Sequence, residues 1–250
     1  ELHCSFPMRD KMAFKANDGS PEYLETAHCL KAADGAYLVL MEIANSVPRT
    51  GIILLIDVFE GLVTGDFVQQ GTRPDFMNLV TRKFRFGAIK NGDAPLPTKR
   101  HCYTKDLDGK KIEWTYRPDF SIIHVYLGEE KYTVAFSEEQ KARMAAQRAA
   151  NPEPERPRRN VPSPYWESCV HIKFRENLYL FSFIEENLGS GTQGLMVLNT
   201  DRVTDVGCFW GADPQGEREG YMFCAYGRWI REHIPEDDVL LKLHEQEKNS

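Results

Sequence analysis

The sequence lacks long apolar runs. The longest, Gly51 to Ile56, is far too short to cross a bilayer, so no membrane partner is expected. Its opening shows no basic segment followed by an apolar stretch and a cleavage site, so no secretory signal is read. Basic surplus is also missing. With 31 basic against 37 acidic residues and a net charge of −6, the chain does not read as a nucleic-acid binder. Six cysteines (Cys4, Cys29, Cys102, Cys169, Cys208, Cys224) include no CxxC pair, which argues against a structural zinc site. A chain of 250 residues needs no disulfide staples, so the expectation is buried free thiols in a reducing, cytoplasmic setting. HxH and HExxH are absent, and His28, His124 and His171 lie on separate segments, so no metal is expected. Without a nucleophile elbow, a dinucleotide fingerprint or a helix after the Gly189–Gly191 loop, no cofactor is expected either.

What is present is ordinary globular composition, 42% hydrophobic and 11% aromatic, with period-two alternation over most of the chain. Short runs rich in Val, Ile, Tyr, Phe and Thr predict strands near 23–30, 36–43, 51–58, 61–69 and 79–86. Further strands are predicted near 110–117, 120–127, 131–136, 165–172, 178–186, 193–199, 203–211 and 220–227. Asp34-Gly35, Asp108-Gly109 and Gly128-Glu129 suit hairpin corners. Even spacing of short strands predicts an all-β, antiparallel sandwich or barrel, and closure removes exposed edges. Glu138 to Ala150 predicts one inserted helix with Ser137 as its N-cap, followed by five prolines from Asn151 to Pro164. Arg156, Arg158 and Arg159 in that insert read as a solvated face. Pro235 to Ser250 reads as a short polar helix.

The chain also repeats itself. Tyr23, Glu25, Lys31, Tyr37, Leu38, Gly65 and Phe67 recur as Tyr165, Glu167, Lys173, Tyr179, Leu180, Gly207 and Phe209, at a shift of 142 (165 − 23). One inserted residue would map Gly51 to Gly194 and Leu54 to Val197. Three extra strands precede the second copy, giving eight, enough to close a barrel around one small ligand. The first copy has about five and must cover its open edge against its neighbour or a second chain, as in a homodimer. The expected domains are therefore an incomplete barrel over 1–95 and an eight-stranded barrel over 96–250, with the helix and Pro-rich insert at 137–164.

Pieces of the second half are familiar in order and spacing: LDGKK from Leu107, HVYL from His124, Tyr132-Thr133, LYLFSFIEE from Leu178, GLMVLN from Gly194 and VGCFWG from Val206. In these it resembles the molybdenum cofactor biosynthesis protein F family, with a weaker match in the first half. The resemblance implies calycin-like (lipocalin-like) barrels, a class whose members serve as isomerases, cyclases, lyases and carriers. Where that family tends to carry Trp, Arg, Glu and Lys after the LYLF strand, this chain has Phe183, Ile184, Glu185 and Glu186. Losing two bases there weakens the case for a phosphorylated ligand.

Alternation decides which side chains share a lumen. Ile122, His124 and Tyr126 share one face, as do Tyr165, Glu167, Cys169 and His171, and Tyr179, Phe181, Phe183 and Glu185. Inward placement would gather histidines, carboxylates and phenols in an apolar pocket, where burial moves carboxyl and imidazole pKa values toward working pH. His124, Tyr126, Glu167, His171 and Glu185 are the candidates for acid–base work. Tyr165, Trp166, Tyr179, Phe181, Phe183 and Trp210 are expected to line or cover the site. Three functions stay open: a cofactor-independent isomerase, cyclase or lyase on a small hydrophobic substrate; a lipocalin-type binder without turnover; and a duplicated scaffold. Each candidate residue also has a bland reading as a satisfied core or surface side chain.

Overall fold

The computed structural model describes residues 2–16, 19, 22–71, 80–150, 166–186, 191–212 and 217–238. The insert with Arg156, Arg158 and Arg159, the candidate Tyr165, Gly189 with Ser190, and the tail beyond Asp238 lie outside the described residues. Seven strands form the first unit: β1 (Leu2–Met8), β2 (Lys11–Ala16), β3 (Tyr23–Ala33), β4 (Ala36–Ile43), β5 (Thr50–Asp57), β6 (Leu62–Gln70) and β7 (Val80–Ala88). They pair in sequence order as an antiparallel meander. β1 and β2 precede the first strand predicted from the sequence; Pro7 interrupts β1 and neither run alternates clearly. Gly35, at φ 69°, makes the β3–β4 turn that a side chain would strain.

The second unit closes. A short β8 (Cys102–Tyr103) precedes β9 (Lys111–Arg117), β10 (Phe120–Leu127), β11 (Lys131–Ala135), α1 (Glu138–Ala150), β12 (Glu167–Arg175), β13 (Leu178–Ile184), β14 (Gln193–Asn199), β15 (Thr204–Ala212) and β16 (Arg218–Trp229). The order β11-β10-β9-β16-β15-β14-β13-β12 returns to β11 through Tyr132↔Glu167, so β9 to β16 form a closed eight-stranded antiparallel barrel. Ser137 caps α1 as expected, accepting from the Gln140 amide at 3.1 Å. The tail helix is one turn within the described residues, 235–238. Among those residues, no helix is long and apolar enough to cross a membrane. All six cysteines are free, but only Cys169 and Cys208 are buried, so the expectation of buried thiols fails for the other four.

Strand register exposes the duplication. Lys31↔Tyr37, Leu38↔Leu55 and Leu54↔Gly65 in the first unit recur as Lys173↔Tyr179, Leu180↔Val197 and Met196↔Gly207 in the second. The bulge in β3 between Lys31 and Ala33 recurs in β12 between Lys173 and Arg175. The shift is 142 throughout β3 to β6, so no inserted residue is needed: Leu54 corresponds to Met196, and Gly51 to Gln193. Lys11↔Thr26 and Met12↔Glu25 match Lys131↔Ser168 and Tyr132↔Glu167, which makes β2 the counterpart of β11 and β1 that of β10. The first unit thus has counterparts of seven barrel strands, and nothing among the described residues pairs β1 with β7. Pro7 on β1, and Lys83 and Arg85 on β7, discourage strand addition at those edges.

The units pack face to face. Leu38, Leu40, Ile53, Leu55 and Val68 from the sheet bury against Ile172, Phe174, Leu180, Leu195, Val197 and Trp210 from the outer wall of the barrel. Arg49 ties the junction: it donates to the Glu219 carbonyl at 2.9 Å and to the Gly211 carbonyl, and lies 4.6 Å over the Trp210 ring. Trp210 Nε1 donates to Glu42 at 3.2 Å. The opposite, concave face of the sheet holds its own cluster around Met12, Phe14, Val39, Met41, Ile52 and Leu54.

Candidate functional site

Because side chains alternate along each strand, the faces of β12 and β13 that do not meet the first unit must point into the barrel. Cys169↔Phe183, His171↔Phe181 and Lys173↔Tyr179 therefore face inward in pairs. From β9 and β10 come Trp114, Tyr126 and His124, and from β14 Met196 and Leu198. Phe181 sits at the middle of this lumen. Its ring centroid lies 5.4 Å from His124, 5.2 Å from Tyr126, 5.0 Å from Tyr132 and 5.3 Å from His171. Four of the expected residues, His124, Tyr126, His171 and Phe181, are thus one cluster, with Phe183 5.0 Å from Phe181.

Their electrostatics differ from expectation. Burial pushes His124 down to about 3 and His171 down to about 4, so both imidazoles are neutral and lie well below working pH. Burial raises the Tyr126 phenol, although the indole of Trp114 donates to its oxygen at 3.4 Å. Asp205, which the sequence reading did not single out, is the lumen group near neutrality. Burial lifts it to about 7, offset in part by the Ala225 backbone amide and by Tyr116, whose hydroxyl donates to Oδ2 at 3.4 Å. Register places Asp205 between Leu198 and Ala225, both lumen residues. Its inward phase follows from sharing a strand face with Gly207 and Phe209, a signal present in the alternation but hidden by the weight given to histidine and glutamate.

Several of these polar atoms have no hydrogen-bond partner although buried: His124 Nδ1, His171 Nδ1 and Nε2, and Asp205 Oδ1. Each such atom costs about 1–3 kcal/mol unless water or a ligand meets it. The duplicate shows that the fold does not require them. His171 corresponds to Cys29, Asp205 to Val63 and His124 to Cys4; both cysteines are exposed, and the apolar cluster on that face of the first unit is flanked by Lys83 and Arg85, which pair with Phe67 and Gly65.

The other candidates stand toward the edges of the lumen or outside it. Glu167 is fully buried opposite the lumen residue Tyr132 at the β11–β12 seam, on the same inward face of β12 as Cys169 and His171. Its counterpart Glu25 accepts the Ala44 amide at 2.9 Å, a structural role. Glu185 lies past the end of β13, with its backbone paired to Thr192 and Gly191, so it belongs to the rim. Tyr179 closes one end of the lumen, donating to Asp106 at 3.1 Å. Two expectations are overturned. Trp210 points out of the barrel into the inter-unit core, because its phase on β15 is that of Cys208, not of Phe209. Trp166 packs on the outer wall with Ile123, Val125 and Ile230, under Lys131 at 5.3 Å.

Rings fill much of the lumen through glycine. A Cβ at Gly227 would lie 2.6 Å from the Trp114 ring, and one at Gly207 2.5 Å from the Phe223 ring. Two surface clefts of about 270 and 250 Å³ lie outside the barrel. The larger runs between α1 and the β9–β10 hairpin, but Glu113 already holds Arg228 at 2.6 Å and Glu139 holds Arg143 at 2.5 Å. Among the described residues, no three His, Cys, Asp or Glu side chains group as metal ligands. No family model and no curated protein matches the chain.

Proposed function

We propose that the second unit is a small-molecule site for cofactor-independent acid–base chemistry, of the isomerase, cyclase or lyase type, on a neutral, aromatic or otherwise hydrophobic substrate. The observation that carries this reading is the set of unpaired polar atoms on His124, His171 and Asp205 inside an aromatic lumen, at positions where the duplicate unit has Cys4, Cys29 and Val63. Asp205 is the proton donor or acceptor, since its pKa of about 7 lets it exchange a proton near neutral pH. The neutral imidazoles orient a substrate carbonyl or hydroxyl by hydrogen bonding, and Tyr126 donates to developing negative charge. Such reactions shift protons and make or break bonds within the substrate without net oxidation or reduction, so no oxidant or reductant enters. The aromatic-on-glycine packing that fills much of the lumen favours a second reading, a duplicated scaffold, over a lipocalin-type binder, which needs open space for its ligand. The resemblance to the molybdenum cofactor biosynthesis protein F family, a cytoplasmic setting and a homodimer that covers the open edge belong to the same proposal.

Native mass spectrometry of the protein from its own host identifies the co-purifying ligand, and turnover of that compound is then followed. The expected result is turnover that falls at least about a hundredfold in Asp205→Asn, the loss typical of a removed acid–base group, and that also falls in His171→Gln, which removes an orienting hydrogen bond. Full turnover in both variants overturns the site assignment; a bound ligand that is never converted selects the binder.

A further inference from the structure

Within the largely apolar junction between the units, Asp66 on β6 is fully buried against the barrel wall. Gln193 on β14 donates one amide hydrogen to Asp66 Oδ2 and the other to Ser182 Oγ at 3.0 Å. Arg82 on β7 donates to the same Ser182 hydroxyl at 2.8 Å. Two acceptors in this network are left over, Asp66 Oδ1 and Gln193 Oε1, both buried and both without a partner. A carboxylic acid and a primary amide satisfy each other in a two-bond ring. The amide N–H donates to one carboxyl oxygen, and the acid O–H on the other oxygen donates to the amide carbonyl. The Gln193-to-Asp66 half of that ring is already in place, and the other half requires a proton on Oδ1.

We propose that Asp66 is held as a neutral carboxylic acid in an acid–amide pair with Gln193, a proton-dependent latch between the two units. Ionised, Asp66 would leave two buried acceptors of the pair, its Oδ1 and the Gln193 Oε1, without a donor. The other charged and titratable groups nearby do not change this. Arg82 attracts the carboxylate and the Lys83 backbone amide donates to it, yet burial outweighs both and lifts Asp66 to about 6. Cys208, whose thiol burial raises, and Cys169 on β12 add no positive charge. Glu186 and Tyr103 act on Arg82 rather than on Asp66. Since Ser182 lies between Phe181 and Phe183, the latch grips the outer side of the strand whose inner side fills the lumen. The inference stands whether or not the barrel turns over a substrate.

The test is infrared spectroscopy of intact protein with carbon-13-labelled aspartate, in wild type and in Asp205→Asn. At about pH 5 the variant is expected to keep a protonated aspartate carbonyl band, which disappears by about pH 8. A folded Asp205→Asn protein without that band overturns the proposal. In parallel, urea unfolding compares wild type with Asp66→Asn, which keeps the shape but cannot ionise. Relative to the variant, the wild-type unfolding constant should rise about tenfold between about pH 5 and pH 7.5, as the folded state loses its extra proton. A constant ratio across that range also overturns it.

Discussion

The imidazole of His171 lies flat on the ring of Phe181, with centroids 5.3 Å apart and planes 17° from parallel, and neither of its nitrogens has a partner. A ring buried in this way is held neutral, because desolvation outweighs the attraction of Asp108 for a positive charge. That one contact links the fold to the proposed chemistry. It fixes the orientation of the imidazole and leaves both nitrogens for a guest.

The buried histidines make the protein acid-labile. His101 and His171 are pushed down to about 4 and His124 to about 3, all by burial, from an ordinary 6.5. The unfolded chain therefore takes up protons that the folded chain refuses. Stability is full above about pH 6.5 and falls as pH drops toward 4, by up to about 1.4 kcal/mol per pH unit for each histidine. Urea midpoints measured across this range should slope downward with acid, and His171→Gln should flatten the slope by about one proton.

Asp205 acts in the opposite sense. Its folded pKa, raised to about 7, means the folded state keeps a proton the unfolded state has lost, so this contribution wanes as pH rises from about 4 to 7. Asp205→Asn should be more stable than wild type at about pH 8, by roughly 1–3 kcal/mol on the cost of burying an unpaired charge-prone group. Calorimetry at alkaline pH reads this directly, and equal melting temperatures would count against a protonated Asp205.

Arg49 should matter more than a surface arginine. Its guanidinium serves Glu42, Gln70 and two carbonyls of the barrel while covering Trp210. Arg49→Ala is expected to cost about 3–5 kcal/mol, and Arg49→Lys to recover little of it, since an ammonium cannot reproduce the planar fork. Chemical denaturation should show the first unit loosening before the barrel.

Gly207→Ala tests the packing of the lumen. The added methyl would meet the Phe223 ring at 2.5 Å, a collision expected to cost about 1–3 kcal/mol. Near-ultraviolet circular dichroism should register the displaced ring together with a lower melting temperature. An unchanged spectrum would mean that the lumen has room that the ring does not need.

The alternation of LYLFSFI announced a strand with aromatics on one face, and that periodicity alone sufficed to pair His171 with Phe181 once β12 and β13 were neighbours. It could not say which face was the interior. Trp210 reads as a lumen residue when only aromatic character is weighed. Its partner Phe209 took the inward phase because Gly207 and Asp205 set the register of β15. Trp166 missed the lumen for a related reason: it precedes β12 one position out of phase with Glu167. Asp205 was passed over because a lone aspartate on a strand has no local motif, and its pKa depends wholly on burial by other strands.

The sequence by itself determined most strands from Tyr23 onward, their alternation and the duplication, because period-two patterning and a repeat shift are local properties of the chain. It also determined the absence of a basic surplus and of long apolar runs. Only the tertiary structure decided that β9 closes the second unit while, among the described residues, β1 and β7 do not pair with each other in the first. It alone decided which strand faces meet between the units, and so which polar side chains lose water. Burial and partner count are set by residues far apart in the sequence, and they turn His171, Asp66 and Asp205 from ordinary side chains into buried groups with unpaired polar atoms.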